Sequence, residues 1–422
     1  MNNDISNTDY NFSPSQALVG GQMLFVAFGA LVLVPLLTGL DPSVALFTAG
    51  VGTLIFQLVT KGKVPIFLAS SFAFIAPIQV SVAEWGISST MSGLAAAGLF
   101  YVALSLAIRA FGTQWLHRVF PPIVVGPVIM VIGLALAKVA VDMATGAADG
   151  QKVPMGISLT VATVTLIATP VIAVMGKGMM RIVPILGGIC IGYVFALILR
   201  AVTGVTLVSF GNVASASVIA LPAFVMPTFH MGAILFMLPV AIAPAIEHFG
   251  DVLAIGGVTK KDYLEDPGIH RTMLGDGLAT TMAGLLGGPP NTTYSEVTGA
   301  VTLTRAFNPA IMTWAAIFAI VLSFSGTLNA LLGSIPLAVM GGVMVLMFGL
   351  IAVVGMTTVM KVGDALTEPR NMIIASIILV VGIGGLSIPL GGSFKMAGIG
   401  LAGIVGVLLN LLLPTSSSAS SK

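Results

Sequence analysis

Apolar residues run along this chain in blocks of about twenty, each closed by a short cluster of Gly, Pro, amide or charged residues. A helix of that length spans the hydrocarbon core of a bilayer. The blocks predict fourteen membrane segments, near 16–38, 42–60, 65–83, 88–111, 121–144, 155–176, 182–204, 230–256, 270–287, 289–304, 309–333, 336–357, 371–389 and 393–413. Twelve are plain. The third and the tenth are short and irregular.

The tenth carries the strongest departure, Gly287 to Arg305, GGPPNTTYSEVTGAVTLTR. Pro289 and Pro290 lack backbone donors and bar helix on their N-terminal side. Thr292 and Thr293 are β-branched and favour extended backbone. From Ser295 the pattern is helical again. The expectation is an extended stretch running into a half-helix that begins near Tyr294 to Glu296. The third segment, VPIFLASSFAFIAP at 64–77, has the same character. Pro65 and Pro77 bracket it, and it reads as extended to about Ser71, then as a short helix from Phe72. Broken backbone at membrane depth survives only where protein buries it or it lines a cavity, and in transporters such breaks form the substrate site. Two half-helix N-termini, near Phe72 and Tyr294, would direct free N–H groups at one midplane cavity.

Breaks in the third and tenth of fourteen segments divide the chain into halves of seven. An odd number per half makes the repeats inverted in the membrane. GPVIMVIGLALA at 126–137 and GVMVLMFGLIAV at 342–353 share Gly, then Gly-Leu seven residues on. The fold class expected is an all-α polytopic membrane protein with two inverted seven-span repeats.

Composition agrees. Hydrophobic residues make up 57% and charged residues 8%, where a soluble domain has about 25% charged; the mean hydropathy is +1.09. A net charge of +2 gives no reason to expect nucleic acid as a partner. The lone Cys190 lies in an apolar run and reads as packing. Residues 1–15 contain Asp4 and Asp9 but no Lys or Arg, so no cleavable signal peptide is expected. With the N-terminus cytoplasmic, Lys61, Lys63, Arg109, Arg118, Lys177, Arg181, Lys260, Lys261, Arg271, Arg305, Lys361, Arg370 and Lys422 fall on the cytoplasmic side. Only Lys138, Lys152, Arg200 and Lys395 fall opposite. That asymmetry fits an inner-membrane protein with both termini in the cytoplasm.

Of the 15 acids, four fall inside predicted spans and away from their ends: Glu247, Asp251, Asp276 and Glu296. A charge at the bilayer centre costs about 2.5–3.5 kcal/mol on insertion scales, so such residues face a cavity, pair or bind protons. Glu247 and Asp251 share a helix face, with His248 beside them as a packed or hydrogen-bonded histidine. Glu296 stands at the mouth of the tenth half-helix. No Lys or Arg within a span offers a structural salt bridge, and clustered, desolvated acids suit reversible protonation. Asp276, shortly after Arg271, reads as an interfacial helix-start acid. Metal-site spacing and nucleotide loops are lacking, so neither a cofactor nor ATP is expected, and the chain reads as a transporter, not an enzyme. The cavity glutamates would repel a permanent anion. A flat neutral molecule with N–H donors and C=O acceptors would satisfy carboxylates and half-helix amides together, with Phe72 and Tyr294 covering its faces.

SSFAFIAP (70–77), FPPIVVGPVIMVIGLALA (120–137), EHFGD (247–251), KKDYLEDPGIHR (260–271), PPNTTYSEVTGAVTLTR (289–305) and VMGGVMVLMFG (339–349) resemble the nucleobase–ascorbate transporters, in particular their bacterial uracil permeases. The resemblance covers nearly all of 15–413. It implies a core domain (1–120 with 226–335), a gate domain (121–225 with 336–422), short antiparallel strands in spans 3 and 10, a homodimer, and proton-coupled uptake by movement of core against gate. It matches Glu247 and Glu296 to the acids that bind the nucleobase, and Phe72, Ser71, Tyr294, Ser295 and Phe348 to the surrounding site. It leaves Glu247, Asp251 and Glu296 as the proton-coupling set. Val297, Asp251 and Phe348 stand where the family pattern usually has Asn, His and Tyr, and Met23 stands in place of a common His. The expected function is proton-coupled uracil uptake. The alternatives are a purine (xanthine or guanine) symporter, sodium coupling at Asp251, and, more remotely, an anion transporter of the same fold.

Overall fold

The structure, a computed structural model, describes residues 7–112, 114–177, 183–391 and 394–414. Arg181 and Lys422 of the charge pattern lie outside the described residues. The chain is overwhelmingly helical. The first elements are α1 (Ala17–Thr38), α2 (Pro42–Val59), β1 (Leu68–Ser70), α3 (Ile75–Phe111), α4 (Gln114–Val119), α5 (Pro122–Ala135), α6 (Ala137–Thr145), α7 (Met155–Met175), α8 (Pro184–Thr203) and α9 (Gly211–Ser215). There follow α10 (Met231–Val240), α11 (Ile242–Thr259), α12 (Ile269–Leu286), β2 (Asn291–Thr293), α13 (Ser295–Thr304), α14 (Ala310–Ser323), α15 (Gly326–Gly333), α16 (Leu337–Met360), α17 (Pro369–Ile383), β3 (Ser387–Gly391), β4 (Phe394–Ala397) and α18 (Gly398–Leu412).

Among the described residues, eight helical stretches are long and apolar enough to cross a membrane, and α14, α17 and α18 are shorter apolar helices. Local chemistry sets many boundaries. Asp41 opens α2 by accepting from the N–H groups of Ser43 (2.6 Å) and Val44 (3.4 Å), with Pro42 at the first helical position. Gly86 (φ 79°) kinks α3 in its first half.

Two groups of helices pack within themselves. In one, α12 lies against α3 and α2, α10 against α3, and α14 against α1 and α2. In the other, α16 lies against α5, α6 and α7, α7 against α8, and α17 against α18 and α5. Each group is drawn tight by small residues, as membrane helix interfaces are. A Cβ added at Gly98 of α3 would stand 2.3 Å from Thr281 N on α12, and one at Gly126 of α5 would stand 2.8 Å from Gly355 O on α16. The groups touch where α11 meets α5 and α18, α10 meets α18, and α1 meets α8.

Several sequence expectations change. The apolar stretch 371–413 is not two uninterrupted segments: α17 stops at Ile383, and Ser387–Gly391 and Phe394–Ala397 pair as an antiparallel hairpin before α18. The span predicted at 309–333 is split at Phe324, because the Ser325 hydroxyl accepts from Leu328 N–H and starts a separate helix, α15. Cys190 is not packed. It lies exposed on α8, since a small apolar thiol sits as well on an outer apolar face as inside.

Candidate functional site

The two interrupted segments meet. β1 and β2 pair antiparallel with Leu68 opposite Thr293, Ala69 opposite Thr292 and Ser70 opposite Asn291. Ser71 N–H extends the ladder by donating to Pro290 O at 2.9 Å. A two-stranded sheet exposes unpaired edge groups, which apolar surroundings do not tolerate. Here side chains from neighbouring helices take them up. Leu68 N–H donates to Thr53 Oγ1 (3.0 Å), Thr280 Oγ1 donates to Asn291 O, and Asn291 Nδ2 donates to Thr48 O (2.8 Å). Gly52 makes room: a Cβ there would lie 2.8 Å from Asn291 Nδ2.

Each strand then turns into helix. After β1, extended Ser71 (φ −75°, ψ 123°) leads into a tight turn at Phe72–Phe74 and on into α3. After β2, extended Tyr294 (φ −122°, ψ 105°) opens α13 at Ser295. The expected break points are therefore met within a residue. Neither start has a side-chain cap, so the positive end of each helix is answered by nothing on its own cap residue. Glu296 stands in the first turn of α13. The backbone of Ser295 is at this junction; its side chain lies outside the described atoms.

Three rings gather there. The Phe72 centroid lies 6.2 Å from that of Tyr294, tilted by 41°, and 6.3 Å from that of Phe348, edge-on at 90°. These separations fall within the favourable range for aromatic pairs. Phe348 belongs to α16, so the ring set joins the two helix groups. The Ser70 and Ser71 hydroxyls are buried with no hydrogen-bond partner among the described residues.

The acids of α11 face the same junction. Asp251, buried, accepts from Thr293 Oγ1 of β2 at 2.7 Å. Glu247, one turn earlier, is half-buried, as is Glu296, and it lies within electrostatic reach of both Asp251 and Glu296. Among the described residues no Lys or Arg forms an ion pair with Glu247 or Glu296. The structure thus brings together Phe72, Tyr294, Phe348, Glu247, Asp251, Glu296 and the Ser71 backbone.

Asp276 requires a correction. It is fully buried, not interfacial, and its Oδ2 lies 3.2 Å from His248 Nδ1, without the in-line geometry of a hydrogen bond. His248 Nε2 bonds Thr272 Oγ1 at 3.0 Å. The acid entered the interior because α12 carries it towards α11, where an imidazole stands opposite; sequence spacing alone gives no sign of this. Asn291 and Thr48 carry no mark of their roles in the sequence, and Thr293 stands out there only as a β-branched residue of the Asn-Thr-Thr run. Among the described residues no group of three or more His, Cys, Asp and Glu is placed to hold a metal.

Apolar helices in number, two interrupted segments paired at their breaks and carboxylates converging on them define a multi-pass membrane protein of the broken-helix kind. Solved structures agree at the level of fold. The transmembrane domain of a cyanobacterial bicarbonate transporter, BicA, superposes with a TM-score of 0.61 at 15% identity, covering 94% of this chain and 97% of that one. The murine anion transporter Slc26a9 in its inward-facing state gives 0.61 at 13% identity, covering 96% of this chain and 68% of that one. By sequence, a family model described as "Permease family" matches residues 14–391. A probable uracil permease of Haemophilus influenzae is 54% identical over 96% of this chain and 95% of its own length. The uracil permeases of Bacillus caldolyticus (44%; 94% and 92%) and Escherichia coli K12 (37%; 93% and 89%) are similar over comparable shares. The chain belongs to this permease family, the nucleobase–ascorbate transporters with their bacterial uracil permeases.

Proposed function

We propose that the protein takes up a nucleobase, uracil first among the candidates, together with protons across the bacterial plasma membrane. One observation carries the reading: the pairing of β1 with β2 sets two uncapped half-helix starts, a ring cluster and the carboxylates of Glu247, Asp251 and Glu296 around one place. The names of the relatives support uracil as the substrate. Glu247 and Glu296 accept from its N–H groups, backbone N–H groups near Phe72 and Ser295 donate to its carbonyls, and Phe72, Tyr294 and Phe348 pack on the ring. Glu247, Asp251 and Glu296 carry the coupling proton, since clustering and burial of acids favour taking one up. The fourteen segments form two inverted repeats, with both termini cytoplasmic. The group built on α1–α3, α10–α14 is the core, and the group built on α5–α8, α16–α18 is the gate; their separate packing supports movement of one against the other, and the protein works as a homodimer. The fold is shared with proteins named for anions, but the carboxylates at this site disfavour an anionic substrate.

The test is radiolabelled uracil uptake into proteoliposomes, sodium-free, with an inward proton gradient imposed and then abolished. Accumulation that disappears with the gradient is expected. Uptake that requires sodium would refute the proton coupling, and uptake outcompeted by xanthine or guanine but not by pyrimidines would refute the substrate.

A further inference from the structure

A second cavity, of about 620 Å³, lies among the ends of α4, α5, α16, α17 and α18. Three cations line it: Arg118 in α4, Lys361 just beyond α16, and Arg370 in the first turn of α17. No Asp or Glu lines it among the described residues; Asp364 and Glu368, the acids of the 361–370 connection, stand outside. Arg370 is held in place by neutral groups. Asn371 and Asn410, each 8% exposed, receive the Arg370 guanidinium: Nη1 donates to Asn371 Oδ1 (3.2 Å), and Nη2 donates to Asn410 Oδ1 (3.0 Å) and Asn410 O (2.6 Å). Arg370 Nε donates to Leu413 O at 3.2 Å. Each asparagine is fixed in turn, Asn371 Nδ2 on Ala365 O (2.8 Å) and Asn410 Nδ2 on Arg118 O (2.7 Å). An amide orients a guanidinium without cancelling its charge, whereas a carboxylate in either position would neutralise it.

Helix ends of both signs meet here: α4, α16 and α18 end at the cavity, and Arg370 answers the carbonyls at the end of α18. α5 and α17, of 14 and 15 residues, both begin at this cavity, and neither has a side-chain cap. Helix N-termini favour anions and disfavour the arginine found in the first turn of α17. Three cations with no Asp or Glu in the lining among the described residues point to a bound anion. Planar guanidinium donors beside a lysine and free helix amides match the oxygens of a phosphate. The rim is apolar: Leu411 and Leu412 are 50% and 77% exposed, and Met372 and Ile373 of α17 are 48% and 46% exposed. A phosphate seated among the cations would have acyl chains lie along that rim. We propose that this pocket is a phosphate-binding site, filled by the headgroup of an anionic phospholipid. Basic pockets between membrane helices are suited to such headgroups.

The test uses full-length protein in detergent. Its thermal unfolding midpoint is followed against added phosphatidylglycerol, phosphatidylcholine and inorganic phosphate, for the wild type and for Arg118→Gln with Lys361→Gln. Both of these side chains are exposed, so the variant is expected to fold, which size-exclusion chromatography checks; Lys361→Arg should retain binding. Phosphatidylglycerol is expected to raise the midpoint of the wild type, with phosphatidylcholine and millimolar phosphate inactive and apparent affinity at least tenfold weaker in the double variant. Protection by inorganic phosphate with none from phosphatidylglycerol would overturn the lipid source. An equal shift in the double variant, or no shift in the wild type, would overturn the site.

Discussion

The interruptions at 64–77 and 287–305 meet as one small sheet but bring different chemistry to it. The first is neutral. It supplies Ser70, Ser71 and the Phe72 ring, then continues through a tight turn into the 37 residues of α3. The second is polar and anchored. Asn291 and Thr293 tie it to α2 and α11, and it ends in a ten-residue half-helix with Glu296 in its first turn. A symmetric pair of breaks has thus become an asymmetric site, with ring cover from one side and a carboxylate from the other. The difference also separates roles. Changes on the second break or its α11 partner should abolish recognition or loosen the sheet, while changes on the first should trim affinity.

The largest effect is expected outside both strands, at an acid of α11. Glu247→Ala should lower uracil transport efficiency by about 10–100-fold, the value of losing hydrogen bonds to a charged acceptor, with the protein still folded; initial uptake rates measure it. Asn291→Ala comes next. It removes the side-chain tie from β2 to Thr48 O of α2 and leaves a buried cavity, at about 1–3 kcal/mol, read as a lowered unfolding midpoint. Gly52→Ala should act on the same contact from the other side, at about 1–3 kcal/mol for overpacking against Asn291 Nδ2 and the Ala279 methyl. If that cost arises from this contact, the two changes will not add in a double variant.

The smallest effect falls on the first break. Ser71→Ala should weaken uracil binding about 2–10-fold and leave stability unaltered, because its hydroxyl has no partner among the described residues. A loss of stability equal to that of Asn291→Ala would erase the proposed division between the two breaks.

What the chain revealed in advance follows from how locally each feature is encoded. The breaks were legible because proline removes a donor at a known position, and both half-helices begin within a residue of the expected place. The acids stood out because charge is rare in these spans. The strand register was not legible, since it is set by Thr53, Thr280 and Thr48 on helices remote in sequence. Nor was the burial of Asp276, which depends on His248 from another helix. The hairpin at 387–397 was missed because a short apolar strand and a short apolar helix have the same composition, and periodicity cannot separate them over so few residues.

The central claim is that a nucleobase binds where the two breaks meet. Equilibrium binding of radiolabelled uracil to purified protein, wild type against Glu296→Ala, tests it most directly. The account predicts saturable binding by the wild type and a loss of at least tenfold in affinity for the variant, with an unchanged unfolding midpoint in the absence of uracil. Equal affinity in the two proteins would place the substrate elsewhere and contradict the assignment.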